Sequence, residues 1–303
     1  MLWKFYLKIY GIIVEVVQED RRPWPITEKH SLAAQEMGVV YTLSTMSTSS
    51  IEEVAQAAPR AVKWYQVYIY NNRSLTKNLI LRAERAGFKA IVLTVDAPLL
   101  GLRLPDLKNK FTLPPHLKLA NFEGKISEMN QNLTKGSGLQ NYVNDLFDPS
   151  INWEDIKWLK SITHLPIVLK GILTAEDALL AVEAGVAAVQ VSNHGSRQLD
   201  GTPAAIDALC DVVKAVGDKI EVYVDGGVTD GVDVLKAVAL GAKMALVGRS
   251  ALWGLVHSGQ QGVERVLNIF KNELRTGLGI SGYSKIDQID RRLVVHESYY
   301  AKL

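Results

Sequence analysis

The stretches AERAGFKAIVLTVD (83–96), AVEAGVAAVQVSN (181–193) and AVALGAKMALVGR (237–249) decide the fold, because they say nearly the same thing. Each is the end of an amphipathic helix, a glycine, and a short apolar run that ends in polar residues. Gly87, Gly185 and Gly241 stand where a helix C-cap glycine belongs. The repeating unit is helix, turn, strand. Working outward, apolar runs recur at Val39–Leu43, Trp64–Ile69, Ala90–Val95, Pro166–Leu169, Ala187–Val191, Glu221–Val224 and Met244–Val247. They are continuous rather than alternating, as parallel strands covered on both faces must be. Between them, helical patterns run over Ser50–Ala57, Leu75–Ala86, Ala175–Ala184, Ala204–Val216 and Gly231–Leu240. The chain therefore reads as α/β, a single (β/α)8 TIM barrel over residues 1–303, with Tyr10–Val17 as strand one. A closing helix is expected over Gly262–Thr276, capped by Gly277, and residues 100–150 form a long loop after strand four.

With 303 residues, 48% of them hydrophobic, the chain can bury one large core. A net charge of +2 gives no global field for nucleic acid or an anionic membrane. Cys210 is the sole cysteine, so the chain has no internal disulfide and no multi-cysteine metal site, and no other metal site is read. The N-terminal MLWKFYLKIYGIIVEVV is apolar but carries Lys4, Lys8 and Glu15, and a buried strand explains it better than a membrane span. Sequons at Asn72 and Asn132 are short enough to arise by chance. Ala301-Lys302-Leu303 resembles a peroxisomal address.

The chemistry sits at the strand ends, where barrels of this kind keep it. Strand two ends at Ser44. Strand three carries Gln66, Tyr68 and Tyr70. Strand four ends in Thr94-Val95-Asp96 and strand five in Lys170-Gly171. Strand six ends in Ser192-Asn193-His194-Gly195, with Arg197 beyond. Strand seven ends in Asp225-Gly226-Gly227 and strand eight in Gly248-Arg249. Glycine turns after strands seven and eight let backbone N–H groups approach a phosphate, and Arg249 adds a forked cation. The alternative for these glycines is tight turns alone. His194 is the best acid–base candidate. Asp96 can orient it, or can cap a helix before Pro98. Arg197 and Arg103 can grip a carboxylate. Lys170 can stabilise negative charge on a cofactor ring, or be a salt-bridged lysine, or an aldolase-type Schiff-base lysine.

The stretches LSTMSTSSIEEVA (43–55), QVYIY (66–70), AGFKAIVLTVDAP (86–98), LPIVLKGI (165–172), VSNHGSRQLDG (191–201), DGGV (225–228) and LGAKMALVGR (240–249) are similar to the FMN-dependent 2-hydroxy acid oxidases and dehydrogenases, with glycolate oxidase as the nearest type. The resemblance is colinear from about residue 38 to 300. It implies FMN as cofactor, contacted by Ser44, Gln66, Thr94, Lys170 and Ser192, with its phosphate at Asp225, Gly226, Gly227, Gly248 and Arg249. It implies His194 as base paired with Asp96. Arg103, Arg197 and Tyr68 would serve the substrate carboxylate and the transition state. The reaction implied takes a small (S)-2-hydroxy acid and O2 to a 2-oxo acid and hydrogen peroxide, in a homotetramer. No nucleic acid or membrane partner is implied. Trp64, Met46 and Leu102 are candidates for setting substrate length.

The sequence departs from that pattern at several places. Glu15, Val16 and Val17 stand where strand one usually has small residues, Thr229 where an arginine follows the DGGV turn, and Ser250 where proline is usual. The family's helical region before the barrel, with its carboxylate-binding tyrosine, has no counterpart here, so the N-terminus reads as shortened. The alternative reading is an N-terminally truncated, FMN-deficient or inactive form, or a non-catalytic barrel subunit.

Overall fold

The computed structural model describes residues 12–16, 26–109, 113–114, 116–122 and 146–302. Strands β1 (Ile12–Val16), β2 (Val40–Ser44), β3 (Lys63–Val67), β4 (Ala90–Thr94), β5 (Ile167–Ile172), β6 (Ala188–Val191), β7 (Glu221–Asp225) and β8 (Met244–Val247) pair in parallel in sequence order. The sheet closes where Ile12 of β1 registers with Ala245 of β8. This is the expected (β/α)8 barrel. The helices are α1 (Ile26–Met37), α2 (Ile51–Ala57), α3 (Arg73–Arg85), α4 (Leu104–Asn109), α5 (Trp153–Ile162), α6 (Ala175–Glu183), α7 (Ala205–Val216), α8 (Gly231–Ala239) and α9 (Arg249–Ile280).

Local chemistry explains where the helices start. Ser50 and Glu53 form a reciprocal capping box at α2, and Asn152 and Asp155 form another at α5. Asn72, read as a sequon, accepts from the N–H groups of Ser74 and Leu75 and so caps α3. Gly87, Gly185 and Gly241 do carry the positive φ of C-cap glycines. The closing helix is longer than expected. It begins at Arg249, kinks at Ser258–Gly259 and continues through Gly277 to Ile280. Gly277 is not a cap. A Cβ there would stand 3.0 Å from Leu235, so its small size serves the packing of α9 on α8.

The barrel interior shows how the site is built. Val40, Trp64, Ala90, Val92, Val168, Ala188, Tyr223 and Leu246 meet in one cluster inside the sheet, separate from the larger core between sheet and helices. Side chains alternate faces along a strand. Two residues above each interior position therefore point inward again, one layer closer to the C-terminal rim. That rule carries Val40 through Thr42 to Ser44, Trp64 to Gln66, Val92 to Thr94, Val168 to Lys170, Ala188 through Gln190 to Ser192, and Tyr223 to Asp225. The apolar plug below and the polar rim above are one inward face read at two heights. Trp64 is thus corrected as a substrate-length residue. It is 1% exposed and packs against Tyr223 at 5.6 Å, one layer below the polar rim. Met46 is buried in the core between sheet and helices. Leu102 is 69% exposed on the loop after β4.

The segment after β4 contains α4 and returns to the barrel at Leu146–Asp148. Asn71 N–H donates to the Leu146 carbonyl and Asp148 N–H to the Ile69 carbonyl. Arg73 pairs with Asp148 at 2.6 Å and Asp155 at 2.8 Å and lies over the Trp158 ring. This return places Phe147 flat against Tyr68, with ring centroids 4.1 Å apart. Pro115, Lys135–Leu139, Tyr10, Val17, Asn132 and Leu303 lie outside the described residues.

Candidate active site

At the top of β4 and β6, His194 Nδ1 meets Asp96 Oδ1 at 2.9 Å. The two residues come from loops far apart in sequence, and both continue the inward register of their strands by one step. Asp96 reaches His194 because Gly171 lies beneath it at a bulge in β5, with φ of +109°. A Cβ at Gly171 would fall 2.5 Å from Asp96 Cβ and 2.6 Å from its Cγ. The pairing excludes the helix-cap reading of Asp96.

His194 and Ser196 are non-glycine residues with φ of +59° and +62°. Such conformations cost about 1–3 kcal/mol each and persist only where neighbours enforce them. Here Ser192 Oγ accepts from His194 N–H at 3.0 Å, and Asn193 Oδ1 accepts from Ser196 N–H at 3.1 Å. The enforced turn aims the imidazole. His194 Nε2 and Asp96 Oδ2 are buried and carry no hydrogen-bond partner. A buried polar atom without a partner is uncommon in a native fold and marks where a ligand atom belongs.

Burial first, and then the nearby Lys170 charge, hold the His194 pKa below the ordinary imidazole value, while Asp96 pulls the other way. Burial pushes Asp96 up, but the Lys170 charge and the His194 hydrogen bond outweigh it and keep it below the usual carboxylate value. The pair is therefore a neutral imidazole backed by a carboxylate, ready to take a proton at Nε2. Burial pushes the Tyr68 hydroxyl up to about 12, with Lys170, Asp96, Arg103 and Arg197 as its charged neighbours. It remains a neutral O–H donor at physiological pH.

Lys170, 2% exposed, stands 3.7 Å from Asp225 and donates to Ser192 Oγ at 3.4 Å. It is thus both a buried cation of the site and a salt-bridged lysine. Asp225 accepts from Ser192 Oγ at 2.7 Å and from the Gln190 amide. Its side chain turns into the barrel rather than toward the glycine turn it begins. On the other wall, Gln66 Oε1 accepts from Ser44 Oγ at 3.4 Å and from Thr45 N–H at 3.3 Å, while its amide donates to Thr94 Oγ1 at 2.9 Å. These side chains form a buried polar belt on the inward face.

A cavity of about 300 Å³ opens beside the His194 ring. Lys170, His194, Arg197, Gly226, Gly227, Gly248 and Arg249 line it, with Asp225 at its edge. Ser44, Gln66, Thr94 and Ser192 do not line it. Arg103 does not line it, but its charge acts on the Tyr68 hydroxyl. The residues fit a flavin mononucleotide. The donor set for a phosphate is present in Gly226, Gly227 and Gly248, with Arg249 in the first turn of α9. The space a Cβ of Gly227 would enter is empty to 4 Å. Lys170 adds a buried positive charge, and His194, whose Nε2 is buried and unpartnered, lines the same cavity. Thr229, where the resemblance has arginine, also lines it, with N–H and hydroxyl bound to Asp233 at 3.0 Å.

Sequence reasoning did not single out Gln190, Gly171 or Gln198. Gln190 could have been found from the inward register between Ala188 and Ser192. Gly171 was quoted as part of a strand end, but its role is visible only once Asp96 is seen against it.

The model of the FMN-dependent dehydrogenase family matches residues 26–296. The chain is 52% identical over 264 residues to 2-hydroxyacid oxidase 1 of Homo sapiens, covering 86% of this chain and 71% of that protein. It is 49% identical over 267 residues to glycolate oxidase 1 of Zea mays, covering 88% and 72%. A crystal structure of mandelate oxidase with (S)-4-hydroxymandelic acid superposes with a TM-score of 0.85 at 39% identity, over 92% of this chain and 78% of that one. Barrel, rim chemistry and these likenesses agree, and the chain belongs to the FMN-dependent dehydrogenase family.

Proposed function

We propose that the protein is an FMN-dependent (S)-2-hydroxy-acid oxidase, converting a small 2-hydroxy acid and O2 to the 2-oxo acid and hydrogen peroxide. The observation that carries this reading is a neutral His194 with a buried, unpartnered Nε2, backed by Asp96, lining one cavity together with Lys170, Arg197 and the glycine turns. Ser44, Gln66, Thr94, Lys170 and Ser192 would hold the isoalloxazine side of the cofactor. The turns at Asp225–Gly227 and Gly248–Arg249 hold its phosphate. When bound, FMN would supply the two-electron acceptor, with O2 as the final oxidant.

The protein's own part is binding and proton handling. Arg197 and Arg103 grip the substrate carboxylate, fixing its orientation as well as its charge. His194 accepts a substrate proton at Nε2, and Asp96 stabilises the resulting imidazolium through Nδ1. Tyr68, neutral and stacked on Phe147, donates a hydrogen bond to the substrate. Lys170 offsets negative charge that builds at the cofactor end of the cavity. An aldolase use of Lys170 is disfavoured because Ser192 and Asp225 engage its ammonium.

The same reading makes the protein a homo-oligomer, a tetramer by family resemblance. The motif Ala301-Lys302-Leu303 supports delivery to peroxisomes, which suits an enzyme that releases peroxide. Among the described residues no helix is long and apolar enough to cross a membrane. The test is aerobic turnover of purified, FMN-loaded protein with glycolate and (S)-lactate. One O2 consumed and one peroxide formed per 2-oxo acid is expected. Production of 2-oxo acid without O2 uptake, or no product at all, contradicts the oxidase reading.

A further inference from the structure

We infer that Gln198 is a positioning residue that holds the two halves of the catalytic apparatus in register. This rests on the oxidase reading above. The proposed base and one arginine, His194 and Arg197, ride on the loop after β6. The proposed partner carboxylate and the other arginine, Asp96 and Arg103, ride on the loop after β4. No strand hydrogen bond joins these loops, because both lie beyond the last paired residues of their strands and β5 runs between them.

Gln198 bridges them with both N–H groups and the carbonyl oxygen of its amide. Its Nε2 donates to the Asp96 carbonyl at 2.9 Å and to the Leu99 carbonyl at 2.9 Å. Its Oε1 accepts from Gly101 N–H at 2.9 Å. Two donors and one acceptor of one planar group thus grip both ends of the Asp96–Gly101 turn. The loops also touch closely. A Cβ at Gly101 would lie 2.4 Å from the Arg197 carbonyl oxygen and 2.8 Å from Gln198 Cα. Gly101 is therefore the point where the loop after β4 rests on the loop after β6, and Gln198 is the fastener that keeps it there.

The consequence is geometric. One of the bonds ends on the main chain of Asp96 itself, so it fixes the height of the carboxylate that orients His194. The others fix the turn that leads to Arg103, only two residues past Gly101. A side chain that touches neither substrate nor cofactor thereby sets the His194–Asp96 distance and the separation of the two arginines.

Gln198→Leu is one atom shorter but of comparable bulk, and removes every bond of the clamp. The expected result is a protein with unchanged FMN content, a kcat about 10- to 100-fold lower, since small misplacements of reacting groups cost about that much, and an acid limb of kcat/KM moved to lower pH. The direction follows from the pair. Asp96 raises the His194 pKa against burial and Lys170, so loosening Asp96 lets that pKa fall further. Gln198→Asn retains the amide but is one methylene short, and is expected to fall between wild type and Gln198→Leu on both readouts. It also keeps the test open if the leucine variant does not fold. Wild-type kcat and an unmoved acid limb in folded Gln198→Leu, or in folded Gln198→Asn if the leucine variant does not fold, overturn the clamp while leaving the oxidase reading intact. A wild-type protein that never turns over a 2-hydroxy acid overturns the oxidase reading and the clamp with it.

Discussion

His194→Gln is expected to lower kcat by about 10²- to 10⁴-fold, the usual contribution of a positioned general base, while leaving the protein yellow with bound flavin. Glutamine can occupy the space and donate to Asp96 but cannot take a proton at the position of Nε2. The wild type should show its base directly in the pH profile. The acid limb of kcat/KM reports protonation of the free enzyme, and with His194 as the proposed base its protonated form would be the inactive one. Because burial and Lys170 hold this imidazole below its ordinary value of 6.5, kcat/KM is expected to rise through an acid limb below pH 6.5 and to stay high above it. Steady-state rates across pH 4.5–8.5 check this. A limb that survives unchanged in His194→Gln assigns the titration to another group.

Gly171→Ala is expected to disable the site almost as completely without replacing a residue of the dyad. Two costs combine. An L side chain at φ of +109° is strained by about 1–3 kcal/mol. The added Cβ also overlaps Asp96 at 2.5 Å, and that neighbour can yield only by moving the carboxylate away from His194. A displacement of that kind costs roughly 10²-fold in kcat. The variant should still fold, because the bulge lies at the rim and the apolar plug below it is unaffected. A melting curve close to wild type with a lost rate is the expected pair of results. A rate near wild type would mean that Asp96 has room to stay in place and that its contact with Gly171 is incidental.

The strands were legible because a buried parallel strand leaves a continuous apolar run, and β4, β6 and β8 repeat one unit closely enough to betray the architecture. The dyad was legible for a related reason. Asp96 and His194 each close an apolar run whose inward register they continue, so strand ends alone brought them to one rim. Depth was not legible. Trp64 and Gln66 share one face, and the sequence does not say which of them reaches the ligand and which fills the barrel beneath it. Nor does it reveal bonds made to main-chain atoms. Gln198 sits in the quoted VSNHGSRQLDG stretch, but its partners are two carbonyls and an N–H nearly a hundred residues away. Helix α5 was missed because WEDIKWLKSI follows a long polar segment, although Asn152 and Asp155 carry a capping box. The end of α9 was misplaced because a glycine that packs looks, in sequence, like a glycine that caps.

We propose that this rim oxidises 2-hydroxy acids at a bound flavin with His194 as the base. The most direct measurement is the visible spectrum of the FMN-loaded protein mixed anaerobically with glycolate or (S)-lactate. Loss of the yellow absorbance on mixing, its return when O2 is admitted, and no loss on the same timescale in His194→Gln are expected. A protein that takes up no FMN, or one that holds it and stays yellow with every 2-hydroxy acid offered, would contradict the account.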